Sequence, residues 1–377
     1  MSTMSENPPE AWTAPARARP AERAWRPRPP GNVARQLSSA VSAGALAVGC
    51  RAIGGPATVD DRALGWARVD SARSAEGLHA AIERGSNLFD VADVFGHGHA
   101  ERLLGRVLRD YRREDLRIVG RVGRVRGSSE HPFAGTTVRR QFEQTLENLR
   151  TDYLDVYCLD HHDFGPDDDH LGESLAQMRA LREDEHVRAI AMRGPDPFAE
   201  DPHAAGMRFA RLFRVIRPDV VSLRFNGLCP TTSVDGEDMF AFTARHGVGL
   251  LLHEPLGQGV LTGKYDPACP PSFGRGDGRG HEAWFTKTGL TAIEPGLRLL
   301  RERFGHAPAD LARVALQHCL RQADHAAVLV GFTCVEQILH NHQSTYELDD
   351  ADLDFVDETY RGMRTALSLA GIGPAPR

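Results

Sequence analysis

Apolar residues recur along this chain in short, unbroken runs. Candidate strands are Gly44–Cys50, Leu88–Ala92, Arg117–Val122, Tyr153–Asp160, Val187–Met192, Val220–Phe225, Val248–Glu254 and Ala327–Phe332. Several of them, VGLLLHEP among them, do not alternate apolar with polar positions. A strand that is apolar on both faces is covered on both faces, as in a parallel sheet flanked by helices. The intervening segments carry helical spacing instead. Ser74 is placed as the cap of a helix whose face is Leu78, Ala81 and Ile82 and which ends at Gly85. Val138, Phe142, Leu146 and Leu149 form a second stripe. Leu171, Leu175, Met178 and Leu181 form a third, and Leu311, Ala315, Cys319 and Leu320 a fourth. These are core-facing helix stripes.

Strands alternating with helices in this way predict an α/β fold, a single-domain (β/α)8 TIM barrel. A doubly wound sheet is the competing architecture, but no G-x-G-x-x-G opens a helix after the first strand. In a barrel, chemistry gathers at the C-terminal ends of the strands. Those ends are Asp90, Phe95, Arg121, Asp160, Arg193, Ser222, His253 and Phe332. Residues 1–36 are rich in Pro, Arg and Ala and nearly free of large aliphatics, so they read as a disordered tail. The barrel then spans 37–366, with a flexible C-terminus over 367–377. Ser39–Cys50 has a superficial likeness to a secretory core, but it lacks Leu, Ile and Phe density and lies where the first strand is needed.

Composition narrows the classes. Of the 377 residues, 41% are hydrophobic and 25% charged, as in a soluble globular protein. A net charge of −6, spread along the chain, points to neither nucleic acid nor a membrane surface. No apolar stretch is long enough to span a bilayer. The six scattered cysteines have no zinc spacing and read as free thiols in a reducing, cytoplasmic setting. No metal is expected. The expected ligand is a small molecule, and the Arg/Pro tail suits a contact with a protein partner.

Four segments, in order, resemble the aldo-keto reductase family: CRAIGGPATVDDRALGWARVD, RTDYLDVYCLDHHD, EPLGQGVLTGKYDP and VLVGFTCVEQILHNHQS. A fifth, LFDVADVFGHGHAERLLG, resembles its Asp-x-Ala-x-x-Tyr-Gly signature. The resemblance runs from Gly44 to Ser344. It implies a barrel that binds NADP(H) and reduces carbonyls through an Asp, Tyr, Lys and His tetrad. On this chain those positions read Asp90, Phe95, Arg121 and Asp160. Phenylalanine has no proton to give. Arginine pairs with a carboxylate but does not shuttle a proton near neutrality. A carboxylate at position 160 repels an oxyanion, and it has the alternative of binding Arg121 in an Asp90–Arg121–Asp160 cluster.

The cofactor positions implied by the resemblance are mixed. The phosphate-side loop is intact, with Leu256, Gly257, Gln258, Gly259, Leu261 and Gly263. Gly331, Glu336, Gln337 and Asn341 also match. The nicotinamide side departs: Arg193-Gly194 stands for Ser-Asn, Ser222 for Gln and His253 for the stacking aromatic. Thr333 stands where a basic residue often meets the 2′-phosphate. His97, His99, His161, His162 and His253 all fall on catalytic-face segments. The glycine-rich Pro270–His281 reads as a mobile loop or lid. Three functions stay open at this point: an NADP(H)-dependent oxidoreductase with an altered tetrad, a non-redox lyase, cyclase or isomerase, and a catalytically silent binding or regulatory subunit.

Overall fold

The computed structural model describes residues 32–343 and 348–373. A short hairpin comes first, β1 (Ala34–Gln36) against β2 (Ser42–Gly44). β3 (Leu46–Gly49) opens the barrel, and a second small hairpin follows, β4 (Thr58–Val59) with β5 (Arg62–Ala63). Then come α1 (Ser71–Glu83), β6 (Leu88–Asp90), α2 (His99–Val107), β7 (Arg117–Val122), α3 (Gly135–Leu149), β8 (Leu154–Leu159), α4 (Leu171–Glu183) and β9 (Val187–Arg193). The chain continues through α5 (Pro202–Ile216), β10 (Val220–Arg224), α6 (Met239–His246), β11 (Gly249–His253), α7 (Lys287–Phe304), α8 (Pro308–Leu320), β12 (Ala326–Gly331), α9 (Val335–Gln343) and α10 (Asp350–Leu369). Strands β3 and β6 through β12 close into one parallel eight-stranded barrel, β12 pairing back onto β3 through Gly331 opposite Gly49. Each barrel strand lies within one of the candidate strands, extended by a residue at an end of β9 and of β12, and is largely buried, with Arg188 and Gly331 the exposed exceptions.

Two apolar layers hold the barrel, the outer one between strands and helices, with Phe89, Ile118, Tyr157 and Leu223 beside Leu78, Phe142 and Phe209. Inside the barrel, Ala47, Leu88, Val119, Val156, Ala189, Val220, Leu251 and Ala327 share a cluster with Leu37, Val41 and Ala43 of the first hairpin. The hairpin therefore plugs the N-terminal end of the barrel. Gly249 permits this, since a Cβ there would fall 2.1 Å from the Leu37 carbonyl oxygen. A third cluster lies outside the barrel, where α7 and α10 pack through Leu297, Leu300, Val356, Tyr360 and Met363.

Three expectations are corrected here. The disordered tail does not extend to residue 36: Asn32 is buried, donating to the Leu46 and Gly85 carbonyls, and Ala34–Gln36 is a paired strand. The remainder of that tail, 1–31, lies outside the described residues. Ser74 does not cap α1; Asp70 does, accepting from Ala72 N at 2.9 Å and Arg73 N at 3.2 Å. A carboxylate suits a helix N-terminus better than a hydroxyl does, because it also meets the helix dipole. At the other end, α10 continues through a buried Leu367 to Leu369, past the expected start of the flexible C-terminus, and 374–377 lie outside the described residues.

Candidate active site

The C-terminal mouth of the barrel opens on a cavity of about 940 Å³. Strand ends deliver Asp90 (β6), Arg121 (β7), Asp160 (after β8), Arg193 (β9), Arg224 (β10) and His253 (β11) to its wall. Phe95 arrives on the turn after β6. That turn comes close because position 54 is glycine: a Cβ there would lie 2.6 Å from the Phe95 carbonyl carbon.

Arg121 is the hub. Its Nε donates to Asp90 Oδ1 at 2.7 Å, its Nη1 to Asp160 Oδ1 at 2.9 Å and its Nη2 to Ser222 Oγ at 2.9 Å. The anticipated Asp90–Arg121–Asp160 cluster thus forms, and it is buried. Asp160 takes two more guanidinium groups: Arg124 Nε at 3.0 Å and Arg193 Nη1 at 3.1 Å. Burial pushes the Asp160 carboxyl up, but Arg193, Arg124 and Arg121 together hold it well below the usual carboxylate range. Asp160 is therefore a fixed anion, not a proton carrier. Asp90 moves the other way, because burial outweighs Arg121 and Asp160 adds repulsion.

A second network was not foreseen. Arg51 Nη1 donates to Glu254 Oε1 at 3.0 Å, and Arg224 Nε lies 2.8 Å from Glu254 Oε2. Arg224 Nη2 and Gln258 Nε2 both donate to Glu282 Oε1, at 2.8 and 2.9 Å. The sequence held one signal of it: Glu254 opens EPLGQG where the family has serine.

The histidines separate. Of the five, only His253 lines the cavity. His161 and His162 bond the Gly123 and Arg193 carbonyl oxygens, and burial brings both down to about 4. His99 meets Ser71 Oγ at 3.1 Å. Burial and the neighbouring Arg193 hold His253 well below its usual range, so it is a neutral imidazole, with Nε2 buried and unpaired among the described residues. Asp90, Asp160 and His253 do not form a metal cage: among the described residues no group of three His, Cys, Asp or Glu side chains is placed to hold an ion.

The segment Pro270–His281 is not free, contrary to expectation. Gly276 O accepts from Ala57 N and Gly65 N, each at 3.1 Å, and Gly278 N donates to Gly65 O at 3.1 Å. Arg279 pairs with Asp277 at 2.7 Å and lies 4.0 Å over Trp66 and 4.5 Å over Phe273. Glycine content suggested mobility; backbone pairing and a stacked guanidinium pin the segment as a strap beside the mouth.

These residues suit one half of NADP(H) and not the other. In the loop after β11, Gly257, Gln258, Gly259 and Gly263 have left-handed backbone, which bends the chain around the cavity edge. Leu256, Gln258 and Gly259 line the cavity, while Leu261 is buried beneath the loop. Asn341 Nδ2 and Gln258 Oε1 are buried without partners among the described residues, and both side chains belong to the cavity wall. Unanswered buried polar atoms of this kind cost about 1–3 kcal/mol each unless a ligand meets them. Gly331 and Gln337 also line the cavity, although Gln337 Oε1 already accepts from Thr333 N at 2.8 Å. Glu336 is exposed, 3.8 Å from Arg73. At the hydride end the fit fails. Ser222 is fully buried and its oxygen is taken by Arg121, so it is not a carboxamide partner.

The family model for the aldo/keto reductase family matches residues 56–361. The chain is 23% identical over 287 residues to the NADH-specific methylglyoxal reductase of Escherichia coli, covering 73% of this chain and 83% of that protein. It is 24% identical over 272 residues to a probable voltage-gated potassium channel subunit beta of Arabidopsis thaliana, covering 70% and 79%. Among solved structures, a glycerol dehydrogenase from Gluconobacter oxydans superposes with a TM-score of 0.66 at 21% identity, covering 91% of this chain and 97% of that one. The holo form of an aldo-keto reductase from Bacillus halodurans gives 0.63 at 20% identity, covering 86% and 95%. Fold, motif order and family model agree, and the chain belongs to the aldo/keto reductase family.

Proposed function

We propose that this chain binds NADP(H) through the phosphate half of the family site but does not carry out tyrosine-dependent carbonyl reduction. The observation that supports this most directly is the engagement of Arg121. All three of its nitrogens are committed to Asp90, Asp160 and Ser222, and the neighbouring acid position is Phe95. When bound, the cofactor supplies a hydride. A proton must then reach the carbonyl oxygen, and neither a phenyl ring nor a guanidinium gives one near neutrality. Asp160, held as an anion, opposes negative charge developing beside it.

The test has two arms. Titrating NADPH into the protein should raise the melting temperature, as any ligand of the folded state does. Mixing protein, NADPH and a panel of aldehydes and ketones should show no cofactor oxidation above the uncatalysed rate. No thermal shift at millimolar NADPH sinks the binding claim, and steady turnover of a simple aldehyde sinks the catalytic one. His253 supports a second reading. A neutral imidazole on the cavity wall can hydrogen-bond a bound substrate, so a non-redox reaction that relies on it would run without dinucleotide and stop in His253→Gln. The relatives' names span a reductase and a probable channel subunit, so family membership does not choose between these readings.

A further inference from the structure

The charges of the mouth do not balance evenly. Its wall carries ten Arg or Lys residues against five Asp or Glu, whereas the whole chain is net −6. In the Glu254 network, Arg51 and Arg224 face Glu254 and Glu282, and on the strap Arg279 faces Asp277, so charge is matched in both places. Around Asp160 it is not. Arg121, Arg124 and Arg193 surround Asp160 and Asp90, which leaves at least one guanidinium in excess.

Arg62, Arg68, Arg73 and Lys264 add to the surplus elsewhere on the wall, but around Asp160 the excess lies on the outer side chains. Arg121 is buried beneath the others, with a side-chain exposure of 5%, whereas Arg124 and Arg193 keep 26% and 30%. Both line the cavity. Arg193 gives Asp160 only its Nη1, and Arg124 gives Nε to the carboxylate and Nη2 to the Asp160 carbonyl. The Nε and Nη2 of Arg193 and the Nη1 of Arg124 have no partner among the described residues. Asp160 thus anchors two side chains that are normally floppy, while their remaining donors stay unpaired on residues that line the cavity. Anchored guanidinium forks match the oxygens of a carboxylate or phosphate. Phe95, Trp66 and the neutral His253 supply apolar and flat surface in the same cavity.

We infer that Arg124 and Arg193 form a recognition site for an oxyanion, the carboxylate or phosphate of a small organic ligand whose body lies in the mouth. The site needs neither dinucleotide nor turnover, so it goes beyond the reading above and fails or stands independently of it.

The test uses the full chain without cofactor. Melting temperature is followed against benzoate, its neutral isostere benzamide, and inorganic phosphate. Benzoate or phosphate should stabilise and benzamide should not; which anion acts tells a carboxylate from a phosphate source. In Arg193→Gln and in Arg124→Gln the anion should bind about tenfold to a hundredfold more weakly, the loss of one charge-assisted hydrogen bond. The anion effect should persist in Asn341→Ala, which alters only the phosphate half of the cofactor site. No stabilisation by either anion, equal stabilisation by benzamide, or loss in Asn341→Ala with retention in both arginine variants would each overturn the proposal. The benzoate–benzamide comparison needs only the natural chain, so it decides even if an arginine variant does not fold.

Discussion

The two ends of the barrel are both closed, but by opposite physics. At the N-terminal end, Leu37, Val41 and Ala43 of the hairpin fill the space with hydrocarbon. At the C-terminal end the corresponding depth is filled by Arg121, held among Asp90, Asp160 and Ser222. Hydrophobic closure is non-directional and scales with area. Ionic closure is directional, and each buried charge depends on every partner staying in place. The first end only has to be sealed. The second is sealed at its base and open above, and its outer arginines, which line the cavity, carry the unpaired donors.

The largest expected effect therefore lies at the ionic end. Arg121→Ala leaves Asp90 buried without a cation, whereas Asp160 keeps Arg124 and Arg193. Stability should fall by about 3–5 kcal/mol, read from the urea midpoint. Replacing Asp90 and Arg121 together by Leu and Met should recover most of that loss, because no charge is then stranded. A single-variant cost below about 1 kcal/mol would show that water reaches Asp90 and that the base of the mouth is not sealed. At the hydrophobic end, Leu37→Ala should cost about 2–3 kcal/mol, since Leu37 is 1% exposed and the hairpin can relax only in part.

Acid acts at the mouth through its partly buried histidines. His161 and His162, beside the mouth, are brought down to about 4 by burial, while in the unfolded chain they titrate near about 6.5. Below that pH the unfolded state takes up protons that the folded state refuses. Stability is thus intact above about 6.5 and is lost as pH falls towards about 4, by at most about 1.4 kcal/mol per pH unit for each histidine. Glu254, held at about 2 by Arg224 and Arg51 against its burial, extends the loss below about 4.5. Urea midpoints at pH 7 and 5 should differ, and His162→Gln should narrow the difference. The cost of Leu37→Ala should be the same at both.

The sequence made the barrel and the base of its mouth legible for the same reason. Strands buried on both faces leave unbroken apolar runs, and the residue at the end of each run must project into the mouth. Asp90, Arg121 and Asp160 sit at the ends of three neighbouring strands, Asp160 one residue past β8, so their convergence follows from strand order alone. Arg51 and Glu254 are 203 residues apart, just past the ends of β3 and β11, which meet only through β12, and nothing local marks them as partners. The hairpin Ala34–Gly44 escaped because its strands are three residues each, and the first, Ala-Arg-Gln, is polar enough to pass for tail. The strap was misjudged because glycine reports what a backbone is free to do, whereas Trp66 and Phe273, which fix Arg279, are brought to it by the fold.

The smallest change bears most sharply on function. Phe95→Tyr restores the missing hydroxyl at a position that is 9% exposed and lines the cavity, so stability should shift by less than about 1 kcal/mol. Turnover of aldehydes with NADPH should still be absent. A tyrosine acid needs a partner that lowers its pKa and a neighbour that tolerates an oxyanion. Arg121 is spent on Asp90, Asp160 and Ser222, and Asp160 is an anion. Only Phe95→Tyr combined with Arg121→Lys and Asp160→His should show cofactor oxidation, because the triple change removes the acid deficit, the arginine clamp and the repelling carboxylate together. Turnover in Phe95→Tyr alone would mean that Arg121 can serve the hydroxyl while still clamped. The base of the ionic end would then be an idle form of a reductase site, one hydroxyl short of use, whatever Arg124 and Arg193 hold above it.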